Sequence, residues 1–321
     1  MDKFISVADI ADPLGGLGTK LKELLDLMRS YEKNPFRDLA TGSGKTIGLL
    51  FFNPSLRTRM STIKAAQNLG MQVISMNSSK DGWALETADG TVMDQGTAEH
   101  IREAAAVMGT YCDVLGVRSF PSLQDREADY AEQIIEGFVK YSGVPVINLE
   151  SATLHPLQSL TDVYTIDCLR SGQKPKVVLT WAPHVKALPQ SVANSFAEWL
   201  QHYDCDLTIA NPEGFDLSKK FTGDVSVIHD QDLALKDADF VYVKNWSSYE
   251  NYGQLGHFPD WKITTEKMSL TNDAALLHCL PVRRNVVIDD QVLDSKKSRV
   301  IQQAGNRVLA AQAVIKKILS R

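Results

Sequence analysis

The 321-residue sequence predicts an α/β protein made of two doubly wound parallel-sheet domains, and three observations carry the prediction. The length exceeds that of one ordinary domain. Short apolar runs, Ile47-Gly48-Leu49-Leu50 first among them, alternate with segments whose apolar residues recur at helical spacing, which is the pattern of parallel strands joined by right-handed crossovers. The alternation then restarts at Lys174–Trp181, after a helix that follows His155-Pro156 and runs to about Arg170. The expected domains are residues 1–150 and 151–321, with the C-terminal helix, about 304–320, packing back on the first.

In order along the chain, residues 1–35 carry helical spacing through Leu21, Leu24, Leu25, Leu27 and Met28, after a loop at Pro13–Gly18. Strands are expected at 47–50, 72–76, 114–118 and 144–149, with helices at 60–69 and 99–109 between them. In the second half, strands fall at 174–181, 206–210, 225–228, 239–243 and 275–279. The terminal helix presents Val308, Leu309, Ala311, Val314, Ile315 and Leu319 as its apolar face.

Composition narrows the function. A net charge of -5 argues against nucleic acid as a partner but permits a local basic pocket for a small anion. No run of 18 apolar residues exists, and Met1-Asp2-Lys3-Phe4-Ile5 does not open a signal peptide, so the expected location is the cytoplasm and not a membrane. Cys112, Cys168, Cys205 and Cys279 lie far apart without a C-x-x-C, which suggests neither a zinc site nor a disulfide framework. No metal or cofactor is expected. Gly42-Ser43-Gly44-Lys45-Thr46 looks like the end of a P-loop, yet Leu39 stands where the first glycine would be needed and the stretch precedes a strand instead of following one.

The chemistry gathers at Phe51-Phe52-Asn53-Pro54-Ser55-Leu56-Arg57-Thr58-Arg59, a strand-to-helix turn. Pro54 cannot donate a strand hydrogen bond and Ser55 is a good N-cap, so the helix is expected to begin between Ser55 and Arg57. Backbone N–H groups, two hydroxyls and two guanidinium groups then surround one point, where a phosphate gains the helix dipole, the amides and a bidentate arginine. The competing reading, a capped helix with two arginines in surface salt bridges, fits a lone S-x-R better than this dense cluster. Arg118 and Glu150 both lie at strand ends, beside the Ser55 turn in such a fold, and ligands of such sheets collect at the carboxyl ends. His155, held before Pro156, and Gln158, one turn further on, can reach one small ligand.

Three motifs occur in an order that resembles the transcarbamylases, the family of the aspartate and ornithine carbamoyltransferases: F-x-x-x-S-x-R-T-R at Phe51–Arg59, H-P-x-Q at His155–Gln158 and H-C-L-P at His278–Pro281. The resemblance covers nearly the whole chain. It implies that Ser55, the backbone of Leu56, Arg57 and Thr58 hold the phosphate of carbamoyl phosphate, joined late in the chain by Arg307. Arg118, His155 and Gln158 would bind the carbamoyl end, with Cys279 and the Leu280 backbone beside it. Arg57, Arg118, His155 and Cys279 make up the implied catalytic set, Cys279 as a contact and not a nucleophile, while Arg59 supports the loop. A homotrimer is implied, with Trp83 reaching the carbamoyl phosphate site of a neighbouring subunit. So is a knotted C-terminal domain, in which residues of about 235–265 pass around the loop at 183–189.

The second substrate is set elsewhere. Asp239–Trp246 lacks the S-M-G loop of ornithine carbamoyltransferases, and Asp81–Glu86 replaces the lysine-bearing loop of the aspartate enzymes. Trp83, Lys244-Asn245-Trp246, Thr180–His184 and His278–Arg284 resemble the N-acylornithine branch, which implies acceptor contacts by Glu150, His184, Lys244 and Arg283. Fifteen residues after Trp83, that branch carries glutamate for an acetyl acceptor and proline for a succinyl one; this sequence has Ala98. A buried glutamate against a succinyl carboxylate would cost on the order of several kcal/mol, and alanine imposes no such repulsion. A succinyl acceptor is therefore expected, with acetyl as the alternative; Glu99 in the place of Ala98 would reverse the argument.

The implied reaction is attack of the unprotonated δ-amine on the carbamoyl carbon, in arginine biosynthesis, with Arg118 and His155 stabilising the oxyanion. A non-catalytic binder of a phosphorylated metabolite would keep the Ser55 cluster but need neither Lys244 nor Arg283. A P-loop kinase would depend on Lys45.

Overall fold

The computed structural model describes residues 1–10, 18–172 and 174–320. The chain divides into two units, Met1–Ser122 with Glu127–Leu157 and Arg307–Arg321, and Leu123–Arg126 with Gln158–Asn306.

The strands β1 (Lys3–Phe4), β2 (Thr46–Phe51), β3 (Gln72–Asn77), β6 (Val114–Arg118) and β7 (Val146–Glu150) form one parallel sheet in the order β1-β7-β6-β2-β3, while β4 (Leu85–Glu86) and β5 (Glu99–His100) pair apart from it. Their helices are α1 (Gly18–Lys33), α2 (Arg57–Asn68), α3 (Ser78–Asp81), α4 (Ile101–Tyr111), α5 (Arg126–Tyr130), α6 (Gln133–Tyr141) and α7 (Pro156–Leu169). Ile47, Leu49, Leu50 and Phe51 are all buried, as a central parallel strand with both faces covered requires. Leu50, Leu115 and Val117 of the sheet pack with Ile101 and Ala105 of α4 and Ile135 and Phe138 of α6. Gly109 lets α4 close on the end of α6, since a Cβ there would lie 1.8 Å from the Ser142 carbonyl oxygen.

The second unit repeats the plan. β8 (Lys176–Trp181), β9 (Asp206–Ala210), β10 (Ser226–Ile228), β11 (Phe240–Lys244) and β12 (Ala275–Leu277) form a parallel sheet in the order β10-β9-β8-β11-β12. α8 (Ser191–Leu200), α9 (Lys219–Thr222), α10 (Gln231–Leu235), α11 (Thr265–Met268) and α12 (Asp290–Leu293) accompany it. Val178, Val241, Val243 and Leu276 of the sheet share a core with Leu235, Ile288 and Val292. α13 (Val300–Leu319) begins in this unit and continues in the first from Arg307.

Several details differ from the sequence reading. The N-terminal stretch, read as helical, opens with β1, whose two residues are too few to show alternation. The loop at Pro13–Gly18 lies, up to Leu17, outside the described residues. The terminal helix begins at Val300, four residues earlier than expected. Ser55 does not cap α2: Leu56 holds the cap position, with helical angles and no side-chain bond. The Asn53 and Pro54 carbonyls are fixed by Arg118 at 3.1 and 2.8 Å, and the chain turns into the helix only after them. Lys45 of the P-loop-like stretch pairs with Asp113 at 2.8 Å, whose other oxygen accepts the Thr46 N–H, so the stretch is a turn secured to the start of β6.

Candidate active site

Phe51, Arg118 and Glu150 end the adjacent strands β2, β6 and β7. Val117 pairs with Asn148, but the register then slips and Arg118 pairs with Glu150. This slip puts the two charges side by side. Arg118 donates from Nε and Nη2 to Glu150 Oε2 at 3.2 and 3.1 Å, and from Nη1 to the two loop carbonyls, while its guanidinium lies 3.9 Å from the Phe120 ring. Both side chains are nearly buried, at 8% and 10% exposure. Of the five guanidinium N–H bonds, four point at these acceptors and one on Nη2 is left over.

His155 lies next to them, with Nε2 3.7 Å from Glu150 Oε2 and 3.5 Å from Arg307 Nη2. Arg307 also donates to the Thr58 hydroxyl at 2.6 Å. It is brought there because Asn68 of α2 donates to Gln312 of α13, which in turn donates to the Pro35 carbonyl. Thr58, Arg307, His155, Glu150 and Arg118 thus form one continuous cluster in the first unit. Burial, and then the charges of Arg307 and Arg118, hold the His155 pKa well below the ordinary histidine range, so the ring is neutral. Its Nδ1 is buried and has no hydrogen-bond partner among the described residues.

Ser55, Leu56 and Arg57 stand on the turn that carries Thr58, at the start of α2, where a leucine cap offers the first-turn amides no side-chain acceptor. Arg59 turns away from this set: it donates to Ser75 at 2.8 Å and lies over the Phe51 ring. Trp83 is 57% exposed and donates its indole N–H to Glu99 at 2.9 Å. Ala98 is exposed, and its N–H donates to the Ala84 carbonyl.

The remaining residues singled out in the sequence belong to the second unit. Gln158 is buried and donates to Asp162 at 2.7 Å; Gln303 donates to the same oxygen and accepts the His278 N–H at 2.9 Å. The Leu280 N–H donates to His278 Nδ1, which shapes the turn that carries Cys279, and Leu280 adopts a positive φ of 55° before a cis proline. Lys244 ends β11, is 7% exposed and donates to the Asn245 carbonyl. His184 has its pKa lowered by burial, and the charges of Lys244 and Arg283 push it the same way, which ties the three together electrostatically. Trp246, which closes the Lys244-Asn245-Trp246 motif, is a core residue: fully buried, it donates to the Phe215 carbonyl.

Asn53, Glu132, Asp162 and Gln303 were not singled out in the sequence. Each acts on another site residue or its loop, and such a role leaves no spacing to detect. No cluster of three or more His, Cys, Asp or Glu residues suited to a metal occurs among the described residues, and no described helix is long and apolar enough to cross a membrane.

Two family models match the chain. Residues 14–167 match the carbamoyl-P binding domain, and residues 188–318 the Asp/Orn binding domain, of aspartate/ornithine carbamoyltransferase. The N-succinylornithine carbamoyltransferase of Bacteroides thetaiotaomicron is 46% identical, over 99% of both chains. The N-acetylornithine carbamoyltransferase of Xanthomonas axonopodis pv. citri is 38% identical, over 87% of both. Among solved structures, a glutamate-to-alanine variant of N-acetyl-L-ornithine transcarbamylase, complexed with carbamyl phosphate and N-succinyl-L-norvaline, matches with a TM-score of 0.92 at 34% identity, covering 99% of this chain and 100% of that one. Two parallel sheets, an arginine-rich helix start and full-length relatives lead to the same place: the chain belongs to the aspartate/ornithine carbamoyltransferase family.

Proposed function

We propose that the protein transfers the carbamoyl group of carbamoyl phosphate to the δ-amine of N-succinyl-L-ornithine, giving N-succinyl-L-citrulline and phosphate. The observation that carries the reading is the cluster of Thr58, Arg307, His155, Glu150 and Arg118 at the carboxyl ends of β2, β6 and β7, in a chain 46–47% identical over 99% of its length to two N-succinylornithine carbamoyltransferases. The phosphate is taken by Ser55, the amides that begin α2, Arg57, Thr58 and Arg307.

The carbamoyl oxygen is met by a neutral ring, His155, and by a guanidinium whose charge Glu150 balances, Arg118. The neutral His155 ring lies beside both charges, its Nε2 3.5 Å from Arg307 and 3.7 Å from Glu150. His155 and the remaining Nη2 N–H of Arg118 stabilise the oxyanion as the amine nitrogen bonds to the carbamoyl carbon. The bond from that carbon to the phosphate oxygen then breaks, and the amine proton passes to the departing phosphate, so no protein base is required. Gln158, Cys279 and Leu280 attend the carbamoyl end, and Glu150, His184, Lys244 and Arg283 take the acceptor.

Three observations favour succinyl over acetyl: Ala98 brings no charge, the 46%-identical relative is a succinyl enzyme, and the glutamate-to-alanine variant of the acetyl enzyme is solved with a succinyl ligand. The test is initial rates with carbamoyl phosphate and either N-succinyl- or N-acetylornithine. A higher kcat/KM for the succinyl acceptor is expected; product from neither acceptor would leave a non-catalytic binding protein.

We also infer a cytoplasmic homotrimer. β3 is an edge strand, and an apolar pocket lined by Gly48, Ile74, Met76, Met108 and Tyr111 opens beside it, with Ile74 45% and Tyr111 68% exposed in the single chain. Light scattering of the purified protein at about three times the chain mass is the expected result.

A further inference from the structure

Glu132 has no role in the reaction as written above, yet the chain strains itself to place it. It stands just before α6 in the left-handed region, φ 51° and ψ 34°, which a residue with a Cβ adopts at a cost. Were the turn all that mattered, glycine would serve better. What glutamate adds is a carboxylate that collects four hydrogen bonds from the segment between β7 and α7. Oε1 accepts from the Ser151 hydroxyl at 2.7 Å, the Thr153 N–H at 2.8 Å and the Thr153 hydroxyl at 2.6 Å, and Oε2 accepts from the Ala152 N–H at 3.2 Å. Ser151, Ala152 and Thr153 are all buried. Immediately before them is Glu150, which holds Arg118; two residues after them is His155.

We infer that Glu132 is a positioning residue, its ionised carboxylate clamping residues 151–153 and thereby fixing Glu150 and His155 in the geometry from which Arg118 and His155 address the carbamoyl group. The inference rests on the carbamoyl-transfer reading. An ionised carboxylate suits the place because all four partners are donors, two of them backbone amides that only an acceptor can satisfy there. Burial opposes the charge and pushes the carboxyl's pKa up, so the four donors are what keep an anion tolerable.

The test uses the full-length protein and three variants. Glu132→Gln keeps the shape but turns an NH2 toward donors, Thr153→Val keeps the shape but loses one hydroxyl, and Thr153→Ser restores that hydroxyl. Amide hydrogen exchange of residues 151–155, measured without substrate, should rise in Glu132→Gln while β2 and β6 stay protected. kcat/KM for carbamoyl phosphate should fall on the order of 10- to 100-fold, as expected when reacting groups are misplaced by about an ångström. Thr153→Val should fall partway and Thr153→Ser recover. Wild-type exchange and wild-type kcat/KM in Glu132→Gln would overturn the inference, as would exchange raised equally throughout the first unit. Exchange needs no turnover, so a wild-type protein that carbamoylates no acceptor counts against the proposed reaction and leaves the clamp measurable.

Discussion

Replacing Arg118 by methionine separates what the Arg118–Glu150 pair does for stability from what it does for chemistry. The substitution keeps most of the apolar stem but removes two bonds to Glu150 and two to the loop carbonyls of Asn53 and Pro54. Glu150, with a side chain only 10% exposed, loses its guanidinium partner, a change that costs about 3–5 kcal/mol in buried pairs. A second substitution, Glu150→Leu, removes the stranded charge. The double variant should then recover to within about 1–2 kcal/mol of wild type, the remaining deficit coming from the two carbonyls at about 1 kcal/mol each. Catalysis should not recover, because the oxyanion has lost a donor whose absence lowers kcat by about 10²–10³-fold. Urea denaturation followed by far-ultraviolet circular dichroism reads the first effect, and initial rates of acylcitrulline formation read the second. A double variant no more stable than Arg118→Met would refute the stranded-charge argument. A single variant within tenfold of wild-type kcat would refute the donor assignment.

Three further outcomes follow from the same geometry. His155 titrates below its unfolded value of about 6.5, so the folded state binds fewer protons; its contribution is complete above that pH and is lost by about 1.4 kcal/mol per unit as pH falls below it. Melting temperatures from pH 8 to 5 should therefore fall more steeply below pH 6.5 in wild type than in His155→Asn, and parallel curves would contradict the buried neutral ring. Ala98→Glu should reduce activity with N-succinylornithine about 10- to 100-fold more than with N-acetylornithine in direct competition, and equal loss on both acceptors would sink the charge argument. Lys45→Ala breaks an exposed pair with Asp113, 49% and 35% accessible, and should cost at most about 1 kcal/mol with full carbamoyl transfer retained; loss of activity would reopen a nucleotide-binding role for that turn.

The sequence made the strands legible wherever burial on both faces produced an apolar run, as at Ile47–Leu50, Val114–Val117 and Phe240–Val243. β1 escaped because two residues carry no period, and β4 and β5 for the same reason. Among site residues, those in local motifs could be read: Arg57 and Thr58 lie in one turn, and His155 and Gln158 in another. The pairing of Arg118 with Glu150 could not, because it depends on a register slip between two strands that brings together residues 32 positions apart and leaves no mark in either. Arg307 comes only through the family resemblance, because it lies still further away and the Asn68–Gln312 bond that docks its helix joins two amides with no signature of their own. Ser55 shows the opposite failure. Its type is right for a cap, but Arg118 fixes the carbonyls before it, and that tertiary contact overrode the local preference.

The same contacts explain why this site suits a dianion and a carbonyl together. Arg57, Arg118 and Arg307 bring three positive charges; Glu150 pairs with Arg118, and His155 is kept neutral by burial and by the charges of Arg307 and Arg118. Without Glu150, Arg118 would be a buried cation directed only at carbonyl oxygens, and its charge would compete with the helix start for the phosphate. With Glu150, Arg118 becomes a nearly saturated donor with one N–H remaining, suited to an oxygen that gains charge only as the amine adds. On the proposed reaction, Arg57 and Arg307, nearer the start of α2, would hold the phosphate before and after the bond to it breaks. On that reading Glu150 would divide one cationic region into a part that binds the leaving group and a part that responds to the transition state. Replacing it by glutamine should accordingly weaken kcat far more than the affinity for inorganic phosphate.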